Sequence, residues 1–137
     1  MRTAAQPQLY DADDSSPPAL KGGRCLSCGY VFFPPHRYGC EKCGAPPDRI
    51  EPAALAGKGA LRSFATVHFH QGHGIEAPFT VASIVLDDGP AIRALMTCRT
   101  DEGLKPGDRV RSILVAQSRD ADGNETVELR FEKVGER

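Results

Sequence analysis

The chain has 137 residues, 17 Lys and Arg against 18 Asp and Glu, a net charge of −1, and 40% hydrophobic residues. Such a length gives one ordinary domain, or two very small ones with thin cores, and the composition is that of a globular chain. Near-neutrality argues against bulk attraction to nucleic acid or an anionic membrane, no apolar run approaches the ~18 residues of a membrane span, and no apolar stretch follows Arg2 as a secretory signal requires. The expected compartment is the cytoplasm.

In chain order, residues 1–20 are rich in Pro, Asp and Ser and read as a tail with a short docked turn around Leu9 and Tyr10. Residues 21–47 are dense in Cys, Gly, Pro and aromatics but almost lack aliphatics, so something other than hydrophobic burial must fold them. Residues 48–57 read as a linker, and residues 58–134 read as β throughout. Within that stretch, Leu61 to His70 alternates around Ala65, Val67 and Phe69 until Gln71-Gly-His-Gly74 breaks it. Phe79 to Leu86 is rich in β-branched residues and ends at Asp87-Asp-Gly-Pro90, after which Ala91 to Cys98 forms a third strand. Thr100 to Lys105 leaves room for a helical turn before Lys105-Pro-Gly-Asp108 opens onto Val110 to Ala116. Asp122-Gly-Asn124 turns into the alternating strand Val127 to Phe131. Five short strands joined by turns predict a small closed or nearly closed barrel, which removes exposed sheet edges.

The main chemical signal lies in the cysteines. Four fall in two pairs, Cys25-Leu-Ser-Cys28 and Cys40-Glu-Lys-Cys43, each followed by Gly, and Cys98 stands alone. Two C-x-x-C pairs complete the tetrahedral thiolate shell that zinc prefers, and the Gly after each pair permits the positive φ that turns backbone N–H groups toward sulfur. Eleven residues separate Cys28 from Cys40, enough for a short hairpin stiffened by Pro34-Pro35. With all four positions filled by protein the site is structural, and its metal supplies folding energy that so small a core lacks. The ligands suit zinc, and iron fits the same set.

Charge is unevenly spread. Residues 21–62 hold seven cations (Arg24, Arg37, Lys42 and Arg49 among them) against Glu41, Asp48 and Glu51, a net +4. Either this basicity neutralises the anionic metal–thiolate centre, or it seats an anionic ligand such as a phosphate-bearing cofactor. Weaker patterns carry less. His68 and His70 fall on one strand face roughly 7 Å apart, with His73 beyond, but such residues are more often exposed or hydrogen-bonded than metal ligands. Cys98 ends an apolar strand and reads as a buried inert thiol. Phe32 and Phe33 either form a docking loop or pack the ribbon onto the barrel. No phosphate-cradling loop, nucleophile elbow or carboxylate pair is present, so no catalytic residue is expected.

Several further motifs follow the cysteine pairs: Gly57-Lys-Gly59, Ser63-Phe-Ala-Thr-Val-His68, Ala77-Pro-Phe-Thr-Val-Ala82, Val85-Leu-Asp-Asp-Gly-Pro90, Leu104-Lys-Pro-Gly-Asp-Arg-Val110 and Arg130-Phe-Glu132. In this order the chain resembles the rubredoxin-like zinc-ribbon plus OB-fold family, long catalogued as a domain of unknown function. The resemblance implies a mainly β protein, with a zinc ribbon at residues 21–47 and a five-stranded OB-fold barrel at 58–134. It also implies a non-catalytic subunit of a thiolase-like acyl-CoA enzyme, helping to seat acyl-CoA; the small subunit of an aromatic acyl-CoA thiolase such as benzoylsuccinyl-CoA thiolase is one such case. The implied metal ligands are Cys25, Cys28, Cys40 and Cys43. Arg24, Arg37, Lys42 and Arg49 become candidates for CoA or for an acidic rim of the partner, with Phe32 and Phe33 adding apolar contact. The competing class is a nucleic-acid module, which the absence of Trp, the 7% aromatics and a net charge of −3 over residues 63–137 disfavour.

Overall fold

The computed structural model describes residues 2–11, 18–36, 38–69 and 77–134. The five strands expected beyond residue 58 are present as β5 (Lys58–Val67), β6 (Phe79–Leu86), β7 (Ala91–Leu95), β8 (Arg109–Arg119) and β9 (Glu125–Lys133). They run β9-β8-β5-β6-β7 in one curled sheet, antiparallel throughout. A parallel bridge between Met96 and Phe131 closes it, and the Thr97 N–H donates to the Phe131 carbonyl at 2.9 Å. This order and closure are those of a five-stranded Greek-key barrel of the OB type. Alternation sets the faces: Thr80, Ala82, Ile84 and Leu86 of β6 point inward and are buried, while Val81, Ser83 and Val85 point out. Turns, not a helix, occupy residues 100–105. The β8–β9 turn is held by the Asp120 carboxylate, which accepts from the N–H groups of Asp122 and Asn124 at 3.0 and 2.9 Å.

Two segments are more ordered than their composition suggests. Residues 2–4 form strand β1 (Arg2–Ala4), which pairs in parallel with β9 as a sixth strand. The docked turn at Leu9 and Tyr10 follows it. Tyr10 is buried and its hydroxyl donates to the Val127 carbonyl at 3.1 Å, which also accepts from the Ala5 N–H at 2.8 Å. The stretch expected to link ribbon and barrel holds a 3-10 turn (Pro47–Arg49) and strand β4 (Ile50–Leu55). There β2 (Leu20–Cys25) pairs with β4 on one side and with β3 (Val31–Phe32) on the other. The Pro52 and two Ala of β4 conceal a strand from propensity alone; pairing with β2 creates it.

The ribbon sheet and the barrel share one core. Leu20 and Leu55 of the ribbon sheet belong to the same buried cluster as Leu61, Ile84, Met96, Val110 and Phe131 of the barrel, and Val31 and Phe33 pack against it. Ser112, buried on β8, fastens the junction: its hydroxyl donates to the Pro18 carbonyl at 2.6 Å and its N–H to the Gly57 carbonyl at 2.7 Å.

Candidate metal centre

The four sulfurs of Cys25, Cys28, Cys40 and Cys43 lie within 4.8 Å of one another. Cys25 and Cys43 are 3.7 Å apart, Cys28 and Cys40 3.6 Å. A tetrahedral ion with Zn–S bonds of about 2.3 Å requires S–S edges of about 3.8 Å, so this cage has the size and the donors for zinc. Each knuckle is built alike. The Gly29 N–H donates to the Cys25 carbonyl and the Gly44 N–H to the Cys40 carbonyl, both at 2.9 Å. Gly29 and Gly44 adopt φ of +83° and +81°, the left-handed turn expected after each pair. That curl aims backbone donors at sulfur: Ser27 N–H reaches Cys25, and the N–H groups of Lys42 and Cys43 reach Cys40, each at 3.3 Å.

Those donors favour thiolate. The Cys28 N–H leads the effects that lower the Cys25 thiol to about 6, burial opposing it and the Ser27 N–H adding to it. Burial pushes the Cys40 thiol up, but the Cys43 and Lys42 N–H groups outweigh it and hold that thiol below its ordinary value. Cys43 is pushed up to about 12: the Ala45 N–H lowers it, yet burial and three neighbouring thiols together prevail. Four sulfurs so close share their protons reluctantly, and a divalent cation among them relieves the crowding of negative charge.

The expected cofactor cations are spread around this centre. Arg24 on β2 is paired with Glu51 on β4, its Nη2 2.6 Å from the carboxylate. Arg49 donates through Nε to the Ser27 hydroxyl at 3.0 Å, bracing the first knuckle. Lys42 lies 5.9 Å from the centre of the Tyr30 ring, and Arg37 lies outside the described residues. A cleft of about 720 Å³ is lined by Gly22, Gly23, Lys21, His36, Asp48 and Glu51 among others, and none of Arg24, Lys42 and Arg49 is in its lining.

Sequence reasoning missed the aromatic arrangement bordering that cleft. Tyr30, Phe32, His36 and Tyr38 stack in series, with centroids 5.9, 4.4 and 5.5 Å apart and planes within 26°. Glycine makes room for it, because a Cβ on Gly23 would stand 2.4 Å from the Phe32 ring. Spacing by two at 30 and 32, then 36 and 38, was the available signal. Phe32 is therefore buried within the ribbon and Phe33 half-buried against the barrel; as packing residues they do not supply the apolar contact area expected of a docking loop. Tyr38 is the exposed ring, at 90%. Strand β5 ends at Val67, so His68 lies beyond the strand and the expected face shared with His70 is not formed by β5; His70 and His73 lie outside the described residues. Cys98 is half-buried against the core cluster.

A knuckled four-cysteine ribbon joined to an OB-type barrel defines a zinc-ribbon/OB-fold protein. Residues 17–48 match the family model for the rubredoxin-like zinc ribbon domain of ChsH2, and residues 53–115 match that for its C-terminal OB-fold domain. A DUF35 domain-containing scaffold protein of Methanocaldococcus jannaschii is 30% identical over 104 residues, covering 75% of this chain and 72% of the relative. Its counterpart in Methanothermobacter thermautotrophicus is 28% identical over 95 residues, covering 69% and 70%. The chain belongs to this DUF35 family, in which the four clustered cysteines are a structural zinc ribbon. The solved structure described as the Ltp2-ChsH2(DUF35) aldolase shares the fold, with a TM-score of 0.62, 22% identity and 84% of each chain covered. Among the described residues no helix is long and apolar enough to cross a membrane.

Proposed function

We propose that this protein is a non-catalytic, zinc-stabilised subunit of a cytoplasmic thiolase-like acyl-CoA enzyme, holding part of the acyl-CoA while the partner performs the chemistry. The observation that carries this reading is the cleft over Gly22 and Gly23, adjoining the cation-bearing ribbon. Its volume of about 720 Å³ falls within the 300–1,000 Å³ of ordinary ligand sites. His36, fixed between Phe32 and Tyr38, offers a rigid aromatic wall suited to a purine base. Lys21 lines the cleft but is held by Asp11 at 2.8 Å, with Asp48 and Glu51 beside it, and Arg24 is paired with Glu51. Phosphate contact therefore falls to Arg37, Lys42 and Arg49 of the same segment; arginine grips phosphate through paired N–H donors. Relatives named scaffold proteins, and one in a structure named an aldolase, support a subunit serving an enzyme that makes or breaks carbon–carbon bonds. An aromatic acyl-CoA thiolase is one enzyme of that kind.

The test is made on the complex that the untagged protein forms in its native cells. Arg37→Glu with Lys42→Glu should raise the acyl-CoA KM or weaken assembly, more at low ionic strength, where surface charges are least screened. Cys98→Ala should leave the activity of the complex intact, and the protein alone should show no turnover. Unchanged KM and assembly in the zinc-loaded double variant would leave the cations with charge balance only.

A further inference from the structure

Strands β5, β6 and β7 present an outer face distinct from the ribbon cleft. Register builds three rows across it: Ala65–Val81–Leu95, Ser63–Ser83–Arg93 and Ala60–Val85–Ala91. Six of these nine residues are apolar and none is acidic, in a chain whose net charge is −1. Ala65, Val85, Ala91 and Arg93 are exposed, and β7 is an edge strand of the sheet order. Arg62, exposed at the bulge between Leu61 and Ser63, borders the middle row.

Arg109, Arg111, Arg119 and Arg130 elsewhere on the barrel each pair with a carboxylate: Asp87, Glu132, Glu125 and Glu128 respectively. Arg62 and Arg93 have no such partner among the described residues, nor has Arg99, whose Nη2 donates to the Ala77 carbonyl at 2.9 Å, nor Lys58 and Lys105. Nature of the occupant follows from this. A second copy would bring Arg62 and Arg93, the charges of this face, against their own copies, and like charges across an interface oppose association. Single-stranded nucleic acid needs several exposed rings and a basic surface, whereas Phe79, in the adjoining row, is buried, Phe69 beyond the end of β5 is a single exposed ring, and residues 63–137 carry a net −3. Short Ala and Val side chains form a flat surface, suited to another flat protein surface rather than to insertion into lipid.

We propose that the outer face of β5–β6–β7 docks the partner enzyme, through an apolar patch flanked by carboxylates that meet Arg93 and Arg62. This rests on the reading above, and names the surface through which that subunit is held. Three rows across three strands, about 10 Å wide, make the dry centre of an interface whose polar rim extends beyond them.

The experiment uses the full chain and the thiolase-like enzyme expected to co-purify with it from its native cells. Val81→Glu with Arg93→Glu should raise the Kd at least 100-fold, with zinc content as in the unsubstituted protein. The exposed Arg93→Glu alone, free of any folding penalty in the strand centre, should raise it roughly 10-fold at low salt and less at high salt. An acid-to-Arg change in the enzyme that restores binding to Arg93→Glu would identify the partner carboxylate. Wild-type Kd in both variants overturns the inference; if Arg37→Glu with Lys42→Glu still raises KM there, the proposed function stands without it. A wild-type chain that binds no thiolase-like enzyme overturns both. A dimer in sedimentation that Arg93→Glu disperses, or anionic phosphatidylserine vesicles whose binding it abolishes, would give the face to another occupant and overturn the inference.

Discussion

Replacing Cys25 with Ser removes a buried sulfur from a cage with S–S edges of 3.6 and 3.7 Å, and a hydroxyl is a poor substitute for thiolate toward zinc. Binding of zinc contributes on the order of 10 kcal/mol to folding in such modules, far more than the ribbon's few aliphatics supply. Loss of the ion should therefore unfold the ribbon, with a consequence for the barrel. Leu20 and Leu55, 1% and 2% exposed, would leave the shared core. Each buried Leu is worth about 1.5–3 kcal/mol, so the barrel loses roughly 3–6 kcal/mol. A domain of ordinary stability has about 5–15 kcal/mol in all. At roughly 3–5 °C per kcal/mol for a chain of this size, the barrel's melting temperature should fall by about 10–30 °C while its β signal persists in the cold. Metal analysis with far-UV circular dichroism melts of wild type, Cys25→Ser and chelator-treated protein measures this, with Cys98→Ser as the control that keeps its zinc. A barrel that melts unchanged after zinc removal would refute the shared core, and stoichiometric zinc in Cys25→Ser would refute the ligand assignment.

Two further outcomes test the packing and the surface charge. Gly22→Ala places a Cβ 2.6 Å from the Phe32 carbonyl and 2.7 Å from a Leu55 methyl, so denaturant unfolding should show a loss of about 1–3 kcal/mol, toward the upper end because a backbone atom must move. Arg109 lowers the Asp87 carboxyl below its ordinary value through paired hydrogen bonds at 2.7 and 3.0 Å. The resulting stability is present above the unfolded carboxylate pKa of about 3.9 and disappears as pH falls through the lower folded value; half-exposed, the pair contributes under about 1 kcal/mol. Arg109→Gln should narrow the stability difference between about pH 6 and about pH 3 by that amount, and an unchanged difference would deny the pair any role.

The ion pairs and the cleft illustrate how differently the two proposed surfaces arise. The ribbon offers a concave site with His36 as its aromatic wall, in a segment that carries Lys42 and Arg49 nearby in sequence, which suits a small ligand. Cations of the barrel face lie on flat aliphatic rows, which suits a protein. A single net charge near zero hides this division, because Arg24, Arg109, Arg111, Arg119 and Arg130 are already neutralised by nearby carboxylates.

The metal centre was legible in the sequence because its chemistry is local: C-x-x-C-G fixes a knuckle within five residues, and two knuckles suffice. The five barrel strands were legible for a similar reason, since period-two burial is written along each strand, as in Thr80, Ala82, Ile84 and Leu86. Strands β1 and β4 were not, because neither has a pattern of its own. Ala53, Ala54 and Pro52 become a strand only beside β2, and Arg2 to Ala4 only beside β9. Nor could the sequence show that Phe32 is spent on covering Gly23, that Leu20 and Leu55 complete the barrel's core, or which arginines lack a carboxylate. Those facts depend on contacts between residues far apart in the chain, and it is the tertiary structure that decides which side chains are buried by their neighbours and which are left to meet a partner.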